Sequence, residues 1–171
     1  METEQKMQNR AESGAGIRNE MQMSFDAISE NEAFARLAVS AFVMPLNPTV
    51  EEISDIKTAV SEAVTNAIIH GYDEEYMQES CREEIGKVHL YCRTEGNLLY
   101  IEVKDTGKGI EDVVQAMEPL FTTRPELERS GMGFAFMEAF MDRLEVVSEP
   151  GCGTAVLMEK RLQMAEEEND L

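Results

Sequence analysis

The spacing of apolar residues predicts that the folded part of the chain begins with a strand followed by a helix. Apolar and polar residues alternate over 20–26, which is typical of a strand with one buried face. Apolar residues at helical spacing follow, and they predict a helix that begins at a capping box of Ser29 and Glu32 and ends at Pro45. The core face expected for this helix consists of Phe34, Leu37, Ala38, Ala41 and Phe42.

A second helix is predicted from Thr49, with Glu52 as its capping-box partner, to Gly71, a residue suited to a left-handed helix end. Its apolar stripe consists of Ile53, Ile56, Val60, Ala63, Val64 and Ala67. The next segment, 72–85, is acidic and has no hydrophobic period, so we expect an exposed loop there.

The second half of the sequence predicts two hairpins separated by a long loop and a helix. The paired strands are 86–94 with 98–105, and 144–149 with 154–160. Glycines and prolines interrupt 106–130, which predicts a loop with at most a short helix. A third helix is predicted to begin near Gly131, and its apolar side consists of Phe134, Met137 and Met141. Because helices and strands interleave without regular βαβ alternation, we expect an α/β sandwich with a helix layer on a mixed sheet.

Length and composition indicate one folded domain. The chain has 171 residues, of which 43% are hydrophobic and 29% charged, and no apolar run approaches the roughly 20 residues of a membrane span. The polar N-terminus lacks the apolar centre of a secretory signal. We therefore expect a cytoplasmic protein with a folded domain over 18–162, a disordered leader or extension over 1–17 and an acidic tail over 163–171.

Charge and cysteine content narrow the classes of partner. The formal net charge of −19 argues against direct contact with nucleic acid, because such binding needs Lys and Arg to neutralise phosphates. The acidic surface either aids solubility or steers a basic protein partner, and both interpretations stay open. The three cysteines, Cys81, Cys92 and Cys152, show no metal-ligand spacing, so we expect reduced thiols.

The first group of polar residues that could carry chemistry is Glu62, Asn66 and His70. Spacings of four residues place them on one helix face beside the apolar stripe, at the rim of the core. A carboxylate next to a carboxamide suits a proton acceptor beside a Mg²⁺ ligand, because hard cations prefer oxygen donors. The same spacing is also compatible with a solvated polar face, in which His70 lies near the helix C-terminus that favours it.

The second group is the turn that begins at Asp105. Strand alternation from Leu99 places this carboxylate on the apolar face of its strand, where it needs a hydrogen-bond partner. The amino group of an adenine base would serve, and so would a backbone N–H of the following turn. Gly107 and Gly109 permit a tight turn and a close approach of the backbone.

Two glycine-containing segments complete the candidate site. Gly131 and Gly133 lead directly into a helix, where exposed N–H groups and the helix dipole favour phosphate. Gly153 and Thr154 begin the last predicted strand, and alone this pair has no functional meaning. Both segments also have a purely structural interpretation, as a helix start and as a turn.

In their order along the chain, these groups resemble the nucleotide-binding domain shared by gyrase, Hsp90, histidine kinases and MutL. Two segments indicate one family within this group. EAVTNAIIHGY at 62–72 and PLFTTRPELERSGMGF at 119–134 resemble the anti-sigma factor serine kinases, most closely the anti-sigma F type of endospore-forming bacteria. The resemblance covers the chain from about residue 18 to 160. It implies an α/β sandwich of the Bergerat type, the fold of histidine-kinase-like ATPases, with ATP bound between helices and sheet under a lid.

The resemblance also implies roles for individual residues. Glu62 would be the general base for a substrate serine, and Asn66 would hold Mg²⁺. Asp105 would bind the adenine amino group, and Arg129, in a lid over 111–130, would reach the terminal phosphate. Further residues expected to bind the nucleotide are Gly107, Gly109, Thr122, Thr123, Ser130, Gly131, Met132, Gly133 and Thr154.

Finally, the resemblance implies partners and a function. It implies an ATP-dependent serine kinase, acting as a homodimer, that sequesters a sporulation sigma factor and phosphorylates a serine of its anti-anti-sigma antagonist. Arg36, predicted to point away from the apolar stripe, would contact both partners. Two alternatives stay open. One is a sigma-binding module that uses ATP only structurally, which Glu62 argues against. The other is a detached histidine-kinase catalytic domain, for which the sequence offers no phospho-accepting helix pair.

Overall fold

The computed structural model describes residues 18–72, 86–119 and 131–163. Its strands are β1 (Arg18–Asp26), β2 (Lys87–Glu95), β3 (Leu98–Asp105), β4 (Arg143–Glu149) and β5 (Gly153–Arg161). Its helices are α1 (Glu30–Val43), α2 (Val50–Asn66), α3 (Val113–Ala116) and α4 (Gly133–Phe140). All the predicted strands are present, and within the described ranges no helix is long and apolar enough to cross a membrane.

The α/β sandwich is confirmed, but the sheet is antiparallel and not mixed. The strands lie in the order β1-β2-β3-β5-β4, and every pairing within the described residues is antiparallel. Two helices connect β1 to β2, so the chain returns to the sheet at the end it left. β3 and β4 run in the same direction but are not neighbours. β5 lies between them and pairs antiparallel with both.

The face of α1 that contacts the core differs in part from the predicted one, of which Phe42 packs partly buried against the core. Its fully buried apolar residues are Ala35, Val39 and Val43. Phe34 and Leu37 are instead 51% and 60% exposed, and Ala41 is exposed too. Both stripes have helical spacing, so the pattern could not choose between them. Small and β-branched residues let α1 pack closely, whereas Phe34 lies at the edge with its ring perpendicular to that of Phe25.

The two predicted capping boxes have different outcomes. At α2 the Thr49 hydroxyl accepts the Glu52 N–H at 3.1 Å, and the Glu52 carboxylate accepts the Thr49 N–H at 2.8 Å. At α1, Ser29 makes no side-chain cap, because its own backbone is already helical with φ −59° and ψ −30°. Its carbonyl oxygen, rather than its hydroxyl, accepts the Glu32 N–H. The prediction at Ser29 is therefore wrong.

The core lies between the helix layer and one face of the sheet. The predicted stripe of α2 is confirmed, since Ile53 packs partly buried against the core and the other five residues are buried. The buried residues of β3 are Leu99, Ile101, Val103 and Asp105. Side chains alternate between the faces of a strand, so the same period that buries the apolar residues carries Asp105 into the core layer.

Candidate functional site

Asp105 ends β3 with its carboxylate turned into the protein, and the residue is 3% exposed. The Gly107 N–H donates to its Oδ1 at 2.8 Å, and the backbone N–H of Thr154 donates to the carboxylate as well. Burial raises the pKa of this carboxyl above its ordinary value, and the two N–H groups offset that effect only in part. The sequence allowed Asp105 either a backbone N–H or an adenine amino group as its hydrogen-bond partner. The structure shows the backbone N–H of the following turn and a second N–H from β5.

Three glycines lie too close to Asp105 or to each other for any side chain to fit. A Cβ at Gly71 would lie 2.9 Å from Asp105 Oδ1. One at Gly107 would lie 2.0 Å from the Gly71 carbonyl oxygen, and one at Gly153 would lie 2.2 Å from the Asp105 carbonyl oxygen. The helical conformation extends to Gly71 as predicted, but Gly71 has no left-handed backbone, so the predicted left-handed helix end is wrong. It ends a π-helical turn, Ala67–Gly71, and the contact with Asp105 is what requires glycine there.

Thr154 is held beside Asp105 by a hydrogen-bond network that the sequence did not reveal. The Ser148 hydroxyl accepts the Ile110 N–H at 2.8 Å and donates to the Gly153 carbonyl oxygen at 2.9 Å. Its oxygen also lies 2.8 Å from Thr154 Oγ1. Since the only hydroxyl hydrogen of Ser148 points to Gly153, the Thr154 hydroxyl is the donor in that contact. A serine in a strand, outside any motif, offers no sequence signal for this role.

Glu62 and Asn66 lie against the glycine that begins α4. A Cβ at Gly133 would lie 3.0 Å from Glu62 Oε2 and 3.4 Å from both terminal atoms of the Asn66 side chain. α4 begins at Gly133, two residues later than predicted, with Met132 as the residue before it. Gly131 has a φ of +60°, which glycine adopts without strain. A carboxylate, a carboxamide and the first N–H groups of a helix therefore meet at this point.

Most of these groups line one cavity of about 420 Å³. This volume is within the range of small-ligand pockets, about 300–1,000 Å³. The predicted site residues that line it are Asn66, Asp105, Gly109, Gly131, Gly133 and Thr154. Other polar residues on its wall are His70, Lys108, Glu111, Asp112, Gln115 and Glu118. Glu62 and Gly107 adjoin this wall, at Gly133 and Asp105 respectively. The structure therefore brings the separate sequence motifs to one place.

Part of the predicted lid lies outside the described residues. This applies to the predicted site residues Thr122, Thr123, Arg129 and Ser130. Within the described part of the lid, Asp112 accepts the Gln115 N–H at 3.0 Å and caps α3. α3 has four residues, so the described part of the loop over 106–130 agrees with the prediction of at most a short helix.

The oxygen donors suit a magnesium ion that is bound together with phosphates. Asn66 contributes a carboxamide oxygen at the cavity, and Glu62 contributes a carboxylate close to it. Among residues 18–72, 86–119 and 131–163, no three His, Cys, Asp or Glu side chains converge to form a metal site. Mg²⁺ is commonly held by one or two protein oxygens together with water and substrate phosphates. The residues therefore fit a metal that is completed by a nucleotide.

Arg36 lies on α1 and not on the cavity wall. Its guanidinium is 3.3 Å from Glu32 Oε1, and its side chain is 39% exposed. Because α1 turns Ala35 into the core, the neighbouring Phe34 and Leu37 are exposed beside Arg36. Arg36 thus belongs to a partly apolar surface, which the predicted orientation of the helix did not suggest.

Comparison with known proteins identifies the family. Residues 25–160 match the family described as Histidine kinase-like ATPase domain. The chain is 49% identical over 146 residues to the anti-sigma F factor of Bacillus subtilis, which covers 85% of this chain and 94% of the relative. It is 56% identical over 142 residues to the anti-sigma F factor of a Thermoanaerobacter species, with 83% of this chain and 93% of the relative covered.

The fold has a counterpart among solved structures. A crystal structure of the RsbU and RsbW domains of a Mycobacterium tuberculosis protein matches 84% of this chain with a TM-score of 0.59 and 19% identity. The match spans 32% of that larger chain, so the likeness concerns the fold of this domain alone. The chain therefore belongs to the histidine kinase-like ATPase domain family and, within it, to the anti-sigma F factors.

Proposed function

We propose that the protein is an ATP-dependent serine protein kinase that sequesters a sporulation sigma factor in the cytoplasm and phosphorylates a serine of the anti-anti-sigma antagonist. The observation that carries this proposal is the convergence of Asp105, Asn66 and Glu62 at one cavity beside the glycine start of α4. Family membership supports ATP as the ligand, and the names of the relatives support a sigma factor as a partner.

Asp105 would select adenine. Its carboxylate accepts two backbone N–H groups, and an ionised carboxylate has further lone pairs that can accept an amino group. Guanine presents a carbonyl oxygen at the corresponding position, which an acceptor does not bind. Thr154 gives its hydroxyl hydrogen to Ser148, so it would add a second acceptor at the base.

The start of α4 would hold the phosphates. The first N–H groups of a helix have no partner within the helix, and the helix dipole makes that end partly positive. Gly131 and Gly133 allow the phosphates to approach the backbone closely. The residues proposed to add contacts around the phosphates are Thr122, Thr123, Ser130 and Met132, with Arg129 neutralising the terminal phosphate.

Glu62 would act as the general base. Asn66 would hold Mg²⁺, which offsets the negative charge on the phosphate oxygens. Glu62 would accept the hydroxyl proton of the substrate serine. The serine oxygen would form a bond to the γ-phosphorus, and the bond from that phosphorus to the ADP oxygen would break. Phosphoryl transfer depends mainly on positioning and charge neutralisation, so a base, a metal and one arginine suffice.

The kinase proposal is tested by Glu62→Gln. This change keeps the size and the hydrogen bonding of the side chain but removes its basicity, so phosphate transfer should fall by about 10²–10⁴ while Mg-ATP affinity changes little. Single-turnover transfer of radiolabel to an anti-anti-sigma protein and isothermal titration with Mg-ATP measure the two quantities. Glu51→Gln, at an exposed position of the same helix, is the matched control. Transfer at the normal rate by Glu62→Gln would exclude Glu62 as the base.

The same assays distinguish the alternatives. A wild-type protein that binds ATP and a sigma factor but transfers no phosphate would be a sigma-binding module. Transfer to a histidine, recognised because phosphohistidine is labile in acid, would indicate a histidine-kinase catalytic domain. A sigma-factor pull-down beside the radiolabel assay separates these results.

The exposed face of α1 supports partner binding through Arg36. Phe34 and Leu37 leave more than half of their surface exposed next to this arginine, and aromatic and arginine side chains are enriched at protein interfaces. The net charge of −19 would also attract a partner with a basic surface. We propose that the sigma factor and its antagonist compete for Arg36 on a homodimer of this kinase.

A further inference from the structure

The Tyr72 side chain lies behind the proposed adenine site, and the mechanism above does not use it. It follows the π-helical turn Ala67–Gly71 and is absent from the wall of the cavity. Its hydroxyl donates to the Lys87 carbonyl oxygen at 2.7 Å and accepts the Thr106 N–H at 2.9 Å. The same oxygen lies 3.2 Å from Thr106 Oγ1. Tyr72 therefore joins the segment that follows α2 to β2 and to the turn after β3.

These three contacts use the full hydrogen-bonding capacity of the phenol. A carbonyl oxygen cannot donate, so the single phenolic hydrogen points to Lys87, and the Thr106 hydroxyl is the donor in the third contact. The ring is held as well, because it packs directly on Gly86, where a Cβ would lie 2.4 Å from its atoms. Both the position and the orientation of the hydroxyl are thus determined by its surroundings.

The contacts of the Tyr72 hydroxyl lie close to Asp105 along the chain. Thr106 directly follows Asp105, so the two bonds from Thr106 to the phenol restrain the end of β3. Gly71, which precedes Tyr72, packs against the Asp105 carboxylate and accepts the Lys108 N–H at 2.9 Å. Two consecutive residues that follow α2, Gly71 and Tyr72, therefore hold both sides of the turn next to the carboxylate.

We propose that Tyr72 is a positioning residue for the adenine base, whose hydroxyl holds the turn so that the Asp105 carboxylate meets the amino group of the base. The inference rests on the proposed function, because it takes Asp105 as the adenine acceptor. It predicts a base-selective effect. Releasing the turn weakens recognition of the amino group, whereas the phosphate contacts at α4 lie on a different element and stay intact.

The test uses Tyr72→Phe, which keeps the ring on Gly86 and removes only the hydroxyl. Affinities for ATP and ITP are compared by isothermal titration, because the base of ITP carries a carbonyl in place of the amino group. ATP affinity should fall about tenfold, because the turn that carries Asp105 loses its contacts with the phenol hydroxyl, with a smaller loss for ITP. In phosphate transfer, KM for ATP should rise while kcat stays near the wild-type value. Tyr91→Phe, which loses a 3.3 Å bond to Glu20, is the control and should leave the ATP to ITP ratio unchanged.

Equal losses for ATP and ITP would overturn the inference, and so would an unchanged ATP affinity. Thr106→Val is the second variant, since it removes one bond to the same phenol and leaves Tyr72 in place. It should lower the ATP to ITP ratio less than Tyr72→Phe does, and fully additive effects in the double variant would contradict a shared role. A wild-type protein without preference for ATP would refute the role of Asp105 itself. A wild-type protein that prefers ATP over ITP but transfers no phosphate would refute the kinase activity alone. The role of Tyr72 would then still be supported.

Discussion

Replacing Glu52 with glutamine should destabilise the protein, because this buried carboxylate joins the start of α2 to the chain just after β5. One oxygen accepts the Thr49 N–H at 2.8 Å, and the other accepts the Gln163 N–H at 2.7 Å. The residue is 7% exposed, so a backbone N–H that loses its partner there gains little from water. The helix anchored in this way is the one that carries Glu62 and Asn66.

The size of the effect follows from the two bonds. A glutamine side chain accepts through one oxygen only, so Glu52→Gln leaves one of the two N–H groups facing an amide NH₂. A hydrogen bond to a charged group contributes about 1.5–3 kcal/mol, and the free energy of unfolding should fall by about that amount. In a protein of this length that corresponds to a decrease in Tm of roughly 3–12 °C. Glu51→Gln removes an exposed charge from the same first turn, so it controls for the helix dipole, which is worth about 0.3–1 kcal/mol.

The pKa of Glu52 adds a pH signature. Burial acts to raise this pKa, but the N–H groups of Gln163 and Thr49, the Thr49 side chain and the charge of Lys160 together lower it below its ordinary value. A carboxyl with a lowered pKa in the folded state stabilises the protein above its unfolded pKa of about 4.3, and this stabilisation is lost as pH falls through the folded pKa. The difference in the free energy of unfolding between wild type and Glu52→Gln, measured by urea unfolding, should thus be largest at neutral pH and decrease in acid. Equal stability of Glu52→Gln and Glu51→Gln at neutral pH would refute the reasoning.

Two further predictions concern the ligand and the partners. Asp105→Asn should weaken Mg-ATP by about 1.5–3 kcal/mol, roughly 10- to 150-fold, because it loses a charged acceptor. Isothermal titration measures this loss, and comparable affinities of the unmodified protein for ATP and GTP would contradict the adenine role of Asp105. Arg36→Glu should weaken both the sigma-factor and the antagonist complexes by about 2 kcal/mol or more while leaving ATP affinity unchanged. Surface plasmon resonance against each partner checks this, and unaltered binding of both would place the interface elsewhere.

The sequence by itself determined the elements and the faces on which the main candidate residues lie. The strand period carries Asp105 into the buried layer, and the spacing of Glu62 and Asn66 puts both on one face of α2. Side-chain direction repeats every two residues in a strand and every 3.6 in a helix, so these features follow from local rules. The direction of a side chain on its element can therefore be read from the pattern. Asn66 and Asp105 line one cavity, and their roles in nucleotide binding stay predictions.

Only the tertiary structure decided which surfaces meet. α1 offers two stripes at helical spacing, and the packing of the helix buries Ala35 and leaves about half of Phe34 exposed. Gly71 looked like a helix end, yet its contact with a carboxylate on another element is what forbids a side chain there. Tyr72 likewise contacts partners that are distant along the chain. The hydrophobic period indicates the direction of a side chain on its element. It does not indicate which residues that side chain contacts, because these depend on how the elements pack.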